Sequence, residues 1–274
     1  MESRLAWRLA IVLVAIPVLM KLGFVNGGRT GAIRRVGIPD GSAGLIARYV
    51  LAEKMDKSGI QSVRFEACTL YDCCASSSQY AMSSGRLDLA IMCSDAARTL
   101  VDKDRRYEIV GPVMKNSDIF IVREDVDAGE PVIAVSQKRR FQQDMVARRF
   151  GKRSRPEPML HAAVPFAYAR GVVHGAVMDI AKAFYLDGVF LCASVNDTDI
   201  RTYVLVGKKT LNGGRQWQRF LESYNEAVEE MQDPERLLVL LKRYVSNQMT
   251  MGEVEIWKKL NVGFMSPLNC RRQG

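Results

Sequence analysis

The sequence predicts an α/β protein built from two doubly wound units in tandem and closed by a run of helices. Residues 33–123 alternate short apolar strands with amphipathic helices in the order β-α-β-α-β-α-β, as a doubly wound sheet requires. The stretch 125–131, Asp-Val-Asp-Ala-Gly-Glu-Pro, breaks that alternation, and a second round of strand and helix follows it. From Arg215 onwards the apolar spacing is that of helices.

In the first unit, residues 35–39 form a strand, and Asp40-Gly41-Ser42-Ala43-Gly44 turns into a helix over 45–57. Ser42 is placed to cap that helix. The open amides at the helix start suit an anionic or polar ligand group, although an ordinary capped turn would look the same. A strand over 62–70, a helix over 76–84 and a strand over 87–92 come next. A helix over 95–101 leads to strands at 107–110 and 119–123 that flank a turn at Gly111-Pro112. The second unit reads as strand 132–135, helix 136–150, basic loop 151–158, strand 159–163 and helix 165–173, with Pro165 in its first turn. Gly175-Ala176-Val177-Met178-Asp179-Ile180 then echoes Gly85-Arg86-Leu87-Asp88-Leu89, a glycine that ends a helix before an apolar strand bearing one aspartate. Strands follow at 190–193 and 202–206, the second leading back to the first unit. Helices at 215–231, 233–246 and 251–260 complete the chain. Phe220, Tyr224, Ala227 and Met231 make a core-facing stripe on the first of these, and Asp233-Pro234 opens the second.

Residues 1–8 carry two arginines and one glutamate ahead of the apolar run 9–20. A charged start and an apolar run of about 7–15 residues match an export signal. The run is shorter than the roughly 20 residues that cross a bilayer, but Lys21 can snorkel and let 22–25 prolong it. Export to the periplasmic or extracellular face of the cytoplasmic membrane is expected, with cleavage and retention as a membrane anchor both compatible. Gly27-Gly28-Arg29-Thr30-Gly31 reads as a linker. The expected divisions are 1–31 for signal or anchor and linker, 32–126 for the first lobe, 127–200 for the second, and 201–274 for the return and terminal helices.

The net charge of +9 is scattered, apart from Lys138-Arg139-Arg140 and the arginines of 148–155. It favours an anionic envelope or solute. No module that binds RNA or DNA is recognisable, so nucleic acid is not an expected partner. Patterns of the GxSxG, Walker A, HExxH and GxGxxG kinds are absent from the sequence, which leaves most enzyme classes unsupported. With only His161 and His174, the chain has no histidine-rich metal cage.

Four of the six cysteines, Cys68, Cys73, Cys74 and Cys93, fall within 68–95, near predicted strand ends where open α/β sheets bind ligands. Cys73 and Cys74 precede the helix at 76–84, whose dipole favours thiolate. Thiolates select soft cations such as Cu(I), Hg(II) or an organometal. Cys93 is placed to assist and Cys68 to support. A structural disulfide from Cys68 to Cys73, Cys74 or Cys93, simple burial, or thiol redox chemistry at the vicinal pair would use the same residues. Adjacent cysteines close only a strained eight-membered ring, and no C-x-x-C is present. Cys192 and Cys270 read as structural or incidental. The thirteen methionines are accounted for by packing.

The order of Val36-Gly37-Ile38-Pro39-Asp40-Gly41-Ser42, Ser84-Gly85-Arg86-Leu87-Asp88-Leu89-Ala90, Gly175–Ile180, Thr202–Val206 and the terminal helices from Phe220 to Glu235 resembles the extracytoplasmic substrate-binding proteins of ABC transporters. The subgroup is the type II periplasmic binding proteins of the nitrate, sulfonate and thiamine-precursor kind. The resemblance implies two α/β lobes on a hinge, a small solute between them, a membrane permease as partner, and no enzymatic activity. Tyr71-Asp72-Cys73-Cys74 is also similar to the substrate-binding (seleno)proteins of selenocysteine-assisted organometal gene sets, with cysteine at both positions here. The expected ligand contacts are Asp40, Gly41, Ser42, Asp72, Cys73, Cys74, Cys93, Ser94, Ser136 and Gln137. Cys73, Cys74 and Cys93 would hold any metal. No cofactor is expected beyond a soft metal or organometal carried as the transported ligand. His161 is a further candidate from the second lobe, and Asp88 and Asp179 are expected to hold backbone turns.

Overall fold

Two mixed sheets, each wrapped by helices, divide the chain in the computed structural model, which describes residues 33, 35–55, 66–71, 76–124, 126, 129–194 and 198–267. Asp72, Cys73, Cys74, Cys270 and the amino-terminal segment lie outside the described residues. No helix among the described residues is long and apolar enough to cross a membrane.

The first sheet has the order β11-β4-β10-β3-β1-β2. Its strands are β1 (Arg35–Pro39), β2 (Glu66–Leu70), β3 (Leu89–Cys93), β4 (Tyr107–Lys115), β10 (Arg201–Lys208) and β11 (Gly263–Phe264). β1 runs parallel to β2 and β3, and β10 enters antiparallel between β3 and β4. The second sheet repeats the plan as β7-β6-β8-β5-β9, from β5 (Asp118–Val122), β6 (Val132–Ser136), β7 (Arg155–Met159), β8 (Gly175–Asp179) and β9 (Val189–Leu191). β3 and β8 are buried at every residue, which explains why both read as unbroken apolar runs.

Helices α1 (Ala43–Tyr49), α2 (Ser76–Ser83) and α3 (Ser94–Lys103) pack on the first sheet. α4 (Arg140–Phe150), α5 (Val164–Ala169) and α6 (Ile180–Ala183) belong to the second. α1 widens into a π-helical segment over Val50–Met55. The terminal helices are α7 (Arg215–Glu230), α8 (Pro234–Tyr244) and α9 (Met251–Lys259). Phe220, Tyr224, Ala227 and Met231 are buried as their spacing predicts. Asp233 caps α8 through the Glu235 amide, and Thr250 with Glu253 forms a capping box on α9.

Several local expectations give way to longer-range pairing. β4 runs straight through Gly111-Pro112 rather than turning there. A side chain at Gly111 would collide with the Pro267 carbonyl, so this glycine serves a close approach of the terminal segment. Residues 119–123 leave the first lobe, because β5 pairs with β8 and β9 in the second sheet. The sheets therefore change at Asn116–Ser117, ahead of residue 126. Ser136 ends a strand instead of starting a helix, and residues 155–158 of the basic loop are strand β7. The echo of Gly85 at Gly175 is not structural. Gly85 (φ 72°) follows α2 and Gly171 (φ 71°) follows α5, whereas Gly175 begins a strand. Asp88 precedes β3, but Asp179 closes β8.

The two crossings between lobes are stitched together. The Asn116 amide donates to the Ile200 carbonyl at 2.9 Å, and the Ile200 amide donates to Asn116 Oδ1 at 2.8 Å. Asn116 takes φ 55°, a left-handed conformation that asparagine tolerates. Ser117 Oγ and Thr202 Oγ1 share a hydrogen bond of 2.7 Å beside it.

Candidate ligand cleft

The carboxyl ends of β1 and β3 face those of β6 and β8, and hydrogen bonds and ion pairs join the two rims. Open α/β sheets bind ligands at such strand ends. The first rim is the turn Asp40-Gly41-Ser42. Opposite lies the turn from Asp179 to Lys182. The Ser42 amide donates to Asp179 Oδ1 at 2.9 Å, and Ser42 Oγ donates to Asp179 Oδ2 at 2.6 Å. Asp179 also accepts from the Ala181 amide at 3.0 Å, capping α6 as the sequence suggests.

Ser42 thus differs from its expected role. Its backbone is helical (φ −54°, ψ −39°), its side chain does not cap α1, and its hydroxyl is committed to the other lobe. The amide read as an anion site already holds a carboxylate of the protein itself. Gly41 permits this approach, since a Cβ there would lie 2.7 Å from the Asp179 carboxyl carbon. Asp179 is 1% exposed. Burial pushes its carboxyl up to about 6, with Asp118 acting in the same direction and Ser42 and Lys182 opposing.

A second link runs parallel. Lys182 Nζ lies 2.9 Å from Asp40 Oδ2 and 2.9 Å from His161 Nε2. His161 Nδ1 lies 2.9 Å from Ser136 Oγ. An ammonium only donates, so Nε2 is the acceptor and the ring proton is on Nδ1, shared with Ser136. Burial first, and then the charges of Lys182 and Arg139, lower His161 to about 3. Ser136 is fixed in turn by its amide, which donates to Gln142 Oε1 at 2.8 Å. Gln137 is exposed, and its amide donates to the Met159 carbonyl at 2.9 Å.

Beneath these links lies Arg139, fully buried. Its guanidinium donates to Asp118 Oδ1 at 2.6 Å and lies 4.9 Å from the Tyr203 ring and 5.2 Å from that of Phe141. Gln142 Nε2 also donates to Asp118, at 3.0 Å. Because Asp118 and Phe141 are second-lobe residues and Tyr203 is on β10, Arg139 ties the second lobe to the returning strand. In the sequence it is the middle of a basic triplet, with nothing local to distinguish it from Lys138 or Arg140.

Cys93 and Asp179 are topological counterparts, the last residues of β3 and β8 and each at the N-cap position of the next helix. Cys93 is 0% exposed and pairs across the sheet with Tyr203. Burial raises the Asp95 carboxyl, and its Oδ2 is enclosed with no hydrogen-bond partner among the described residues. Ser94 Oγ donates to the Arg201 carbonyl at 2.7 Å, so that hydroxyl is committed to the start of β10. Cys68, half-buried on edge strand β2, and Cys93 are both thiols. Burial raises the Cys68 thiol. Among the described residues no three histidine, cysteine, aspartate or glutamate side chains are grouped as a metal site.

Asp40, Gly41, Ser42 and Ser136 therefore gather at the cleft, with Cys93 beneath them, while Ser94 is committed to β10 and Gln137 to the β6 turn. Asp179, Lys182, Asp118 and Arg139 join the site without having been singled out for it.

The chain matches no protein-family model and no curated protein sequence. Solved structures do share its fold. One is the ligand-binding component of an ABC-type import system from Staphylococcus aureus with zinc bound, at 11% identity and TM-score 0.69 over 86% of each chain. Another is the alkanesulfonate-binding protein SsuA from Xanthomonas axonopodis pv. citri bound to MOPS, at 15% identity and TM-score 0.60 over 86% of each chain. The periplasmic aliphatic sulphonate binding protein SsuA from Escherichia coli aligns at 14% identity and TM-score 0.61 over 85% of each chain. Two sheets of like strand order, a double crossing and helices at the end make this the two-lobed fold of the periplasmic binding proteins.

Proposed function

We propose that this chain is the exported solute-binding component of an ABC-type importer, a non-enzymatic receptor that closes two lobes on a small solute and presents it to a membrane permease. The observation that supports this reading is the meeting of Asp40–Ser42 with Asp179–Lys182 across a two-stranded hinge. The shared fold with ligand-binding components of import systems supports the same class.

The chemistry of the rims favours a cationic solute. Asp40 is balanced by Lys182 and Asp118 by Arg139, while Asp179 is held by hydroxyl and amide donors and Asp95 Oδ2 is enclosed with no hydrogen-bond partner among the described residues. A small organic anion, the other reading of the Asp40–Ser42 amides, would have to displace Asp179 from Ser42 and lie against its carboxylate. The soft-metal or organometal reading adds Cys73 and Cys74 as thiolate donors, with Cys93 assisting, and agrees with a cation-seeking cleft.

Titration of reduced protein with Hg(II), methylmercury or Cu(I), followed by solution scattering, tests the reading. Saturable binding is expected, with a change in radius of gyration as the solute replaces the contacts that already join the rims. Unchanged affinity in the Cys73→Ser/Cys74→Ser variant would remove the cysteine mechanism, and tighter binding of MOPS than of any cation would replace the soft-cation ligand by an anion.

A further inference from the structure

Two acceptors from opposite lobes are aimed at a single point. Asp40 Oδ2 arrives from the turn after β1 and His161 Nε2 from the turn after β7, each 2.9 Å from Lys182 Nζ. Three features separate this arrangement from an ordinary surface ion pair. The imidazole offers a lone pair to the ammonium, because a protonated Nε2 would oppose it. The ring is oriented from behind by Ser136, which is 2% exposed and itself held through its amide by Gln142. An imidazole whose second nitrogen is fixed in this way is oriented as metal-binding histidines are. The point is also reachable from solvent, since the Lys182 and Asp40 side chains keep 23% and 27% of their surface exposed.

Lys182 is the movable member of the three. It projects from the four-residue helix α6 on a flexible four-carbon stem, whereas Asp40 directly follows β1 and the His161 ring is held from behind by Ser136. Withdrawal of the ammonium would leave a carboxylate and a neutral imidazole facing each other with no cation between them.

We propose that Asp40 and His161 form a cation subsite spanning the cleft, and that the Lys182 ammonium is its tethered occupant, displaced when the positive centre of a solute enters. The inference rests on the receptor reading of the cleft and names the group the solute must carry, a centre that takes electron pairs from carboxylate and imidazole. A metal ion of borderline softness meets that requirement, and so does the primary ammonium of an organic solute. In both cases Lys182 holds the lobes together until the solute replaces it.

The test uses the full chain and the variant Lys182→Met, which keeps the stem and drops the charge, with Lys182→Gln as a second neutral replacement. Each is titrated with Co(II), whose visible absorption reports nitrogen ligation, and separately with methylammonium. Affinity for one of the two is expected to rise about tenfold or more over wild type in both neutral variants. Adding His161→Gln is expected to abolish the rise. A gain confined to Co(II) identifies a metal and a gain confined to methylammonium an organic cation. No gain for either probe in a variant that keeps its wild-type melting profile, or a gain that survives His161→Gln, would overturn the subsite. The receptor reading fails separately: a histidine-dependent gain in a protein whose radius of gyration no solute changes keeps the subsite and removes the receptor, whereas a normal scattering change with Hg(II) without the gain does the reverse.

Discussion

Ser42 Oγ donates to Asp179 Oδ2 at 2.6 Å, a bond between residues 137 positions apart that joins one lobe to the other. The Ser42 amide donates to the other oxygen of the same carboxylate at 2.9 Å, so the two contacts fix the aspartate as a fork. Their length depends on how closely Gly41 lets the rims approach.

Gly41→Ala tests that dependence. The added methyl would meet the Asp179 carboxyl at 2.7 Å, and Gly41 does not use a positive φ, so the substitution acts through space between the lobes and not through the backbone of its own turn. The expected outcome is a wider resting cleft, seen as a larger radius of gyration, and solute affinity lower by about tenfold. An unchanged radius of gyration would show that the rims tolerate the methyl group.

Proton linkage at the cleft has two opposed parts. Asp179 is raised from 3.8 to about 6, so the folded protein holds its proton more tightly than the unfolded chain. Its stabilising share is complete below pH 3.8 and is lost as pH rises towards 6, about 3 kcal/mol at most for a shift of this size. His161 is lowered from 6.5 to about 3, and its share is complete above 6.5 and is lost as pH falls towards 3. Wild type is therefore expected to show a shallow profile between pH 4 and 6. Asp179→Asn should steepen the fall in melting temperature on acidification, and His161→Gln should reverse its sign. Parallel profiles in all three proteins would disprove the linkage.

The buried pair of Arg139 and Asp118 is expected to behave as a unit. Both side chains are 0% exposed. Asp118→Asn removes the enclosed carboxylate to which the guanidinium donates and should cost about 3–5 kcal/mol in denaturant unfolding. A double change of Arg139→Met with Asp118→Asn should recover part of that loss, because two neutral groups avoid the enclosed charge. A double variant less stable than Asp118→Asn would contradict this account.

The sequence reveals most where a residue's role is settled by its neighbours. β3, β8 and the α7 stripe are written as apolar runs or spacings, and the Asp233 cap is written as Asp-Pro. Asp179 is half legible. Its bond to the Ala181 amide is the local turn its position suggests, whereas its bonds to Ser42 depend on how two lobes close. Arg139 carries no local mark at all, since the same triplet would suit a solvated loop. The strand through Gly111-Pro112 misleads for a similar reason: the segment that fills the space above Gly111 comes from Pro267. Cys93 is placed correctly at a strand end, but full burial there depends on β10 and Tyr203, which return to the sheet more than a hundred residues later.

The reciprocal bonds of Asn116 and Ile200 make the two crossings bend as one ribbon. Flexing that ribbon across its width leaves both bonds intact, whereas sliding one crossing along the other would break both. The lobes are left with essentially one direction of swing, like a jaw on a single pin. Each closing movement would then return Asp40 to Lys182 and Ser42 to Asp179 in the same alignment, with the register of the two rims fixed by backbone bonds at the crossings and not by the rims themselves.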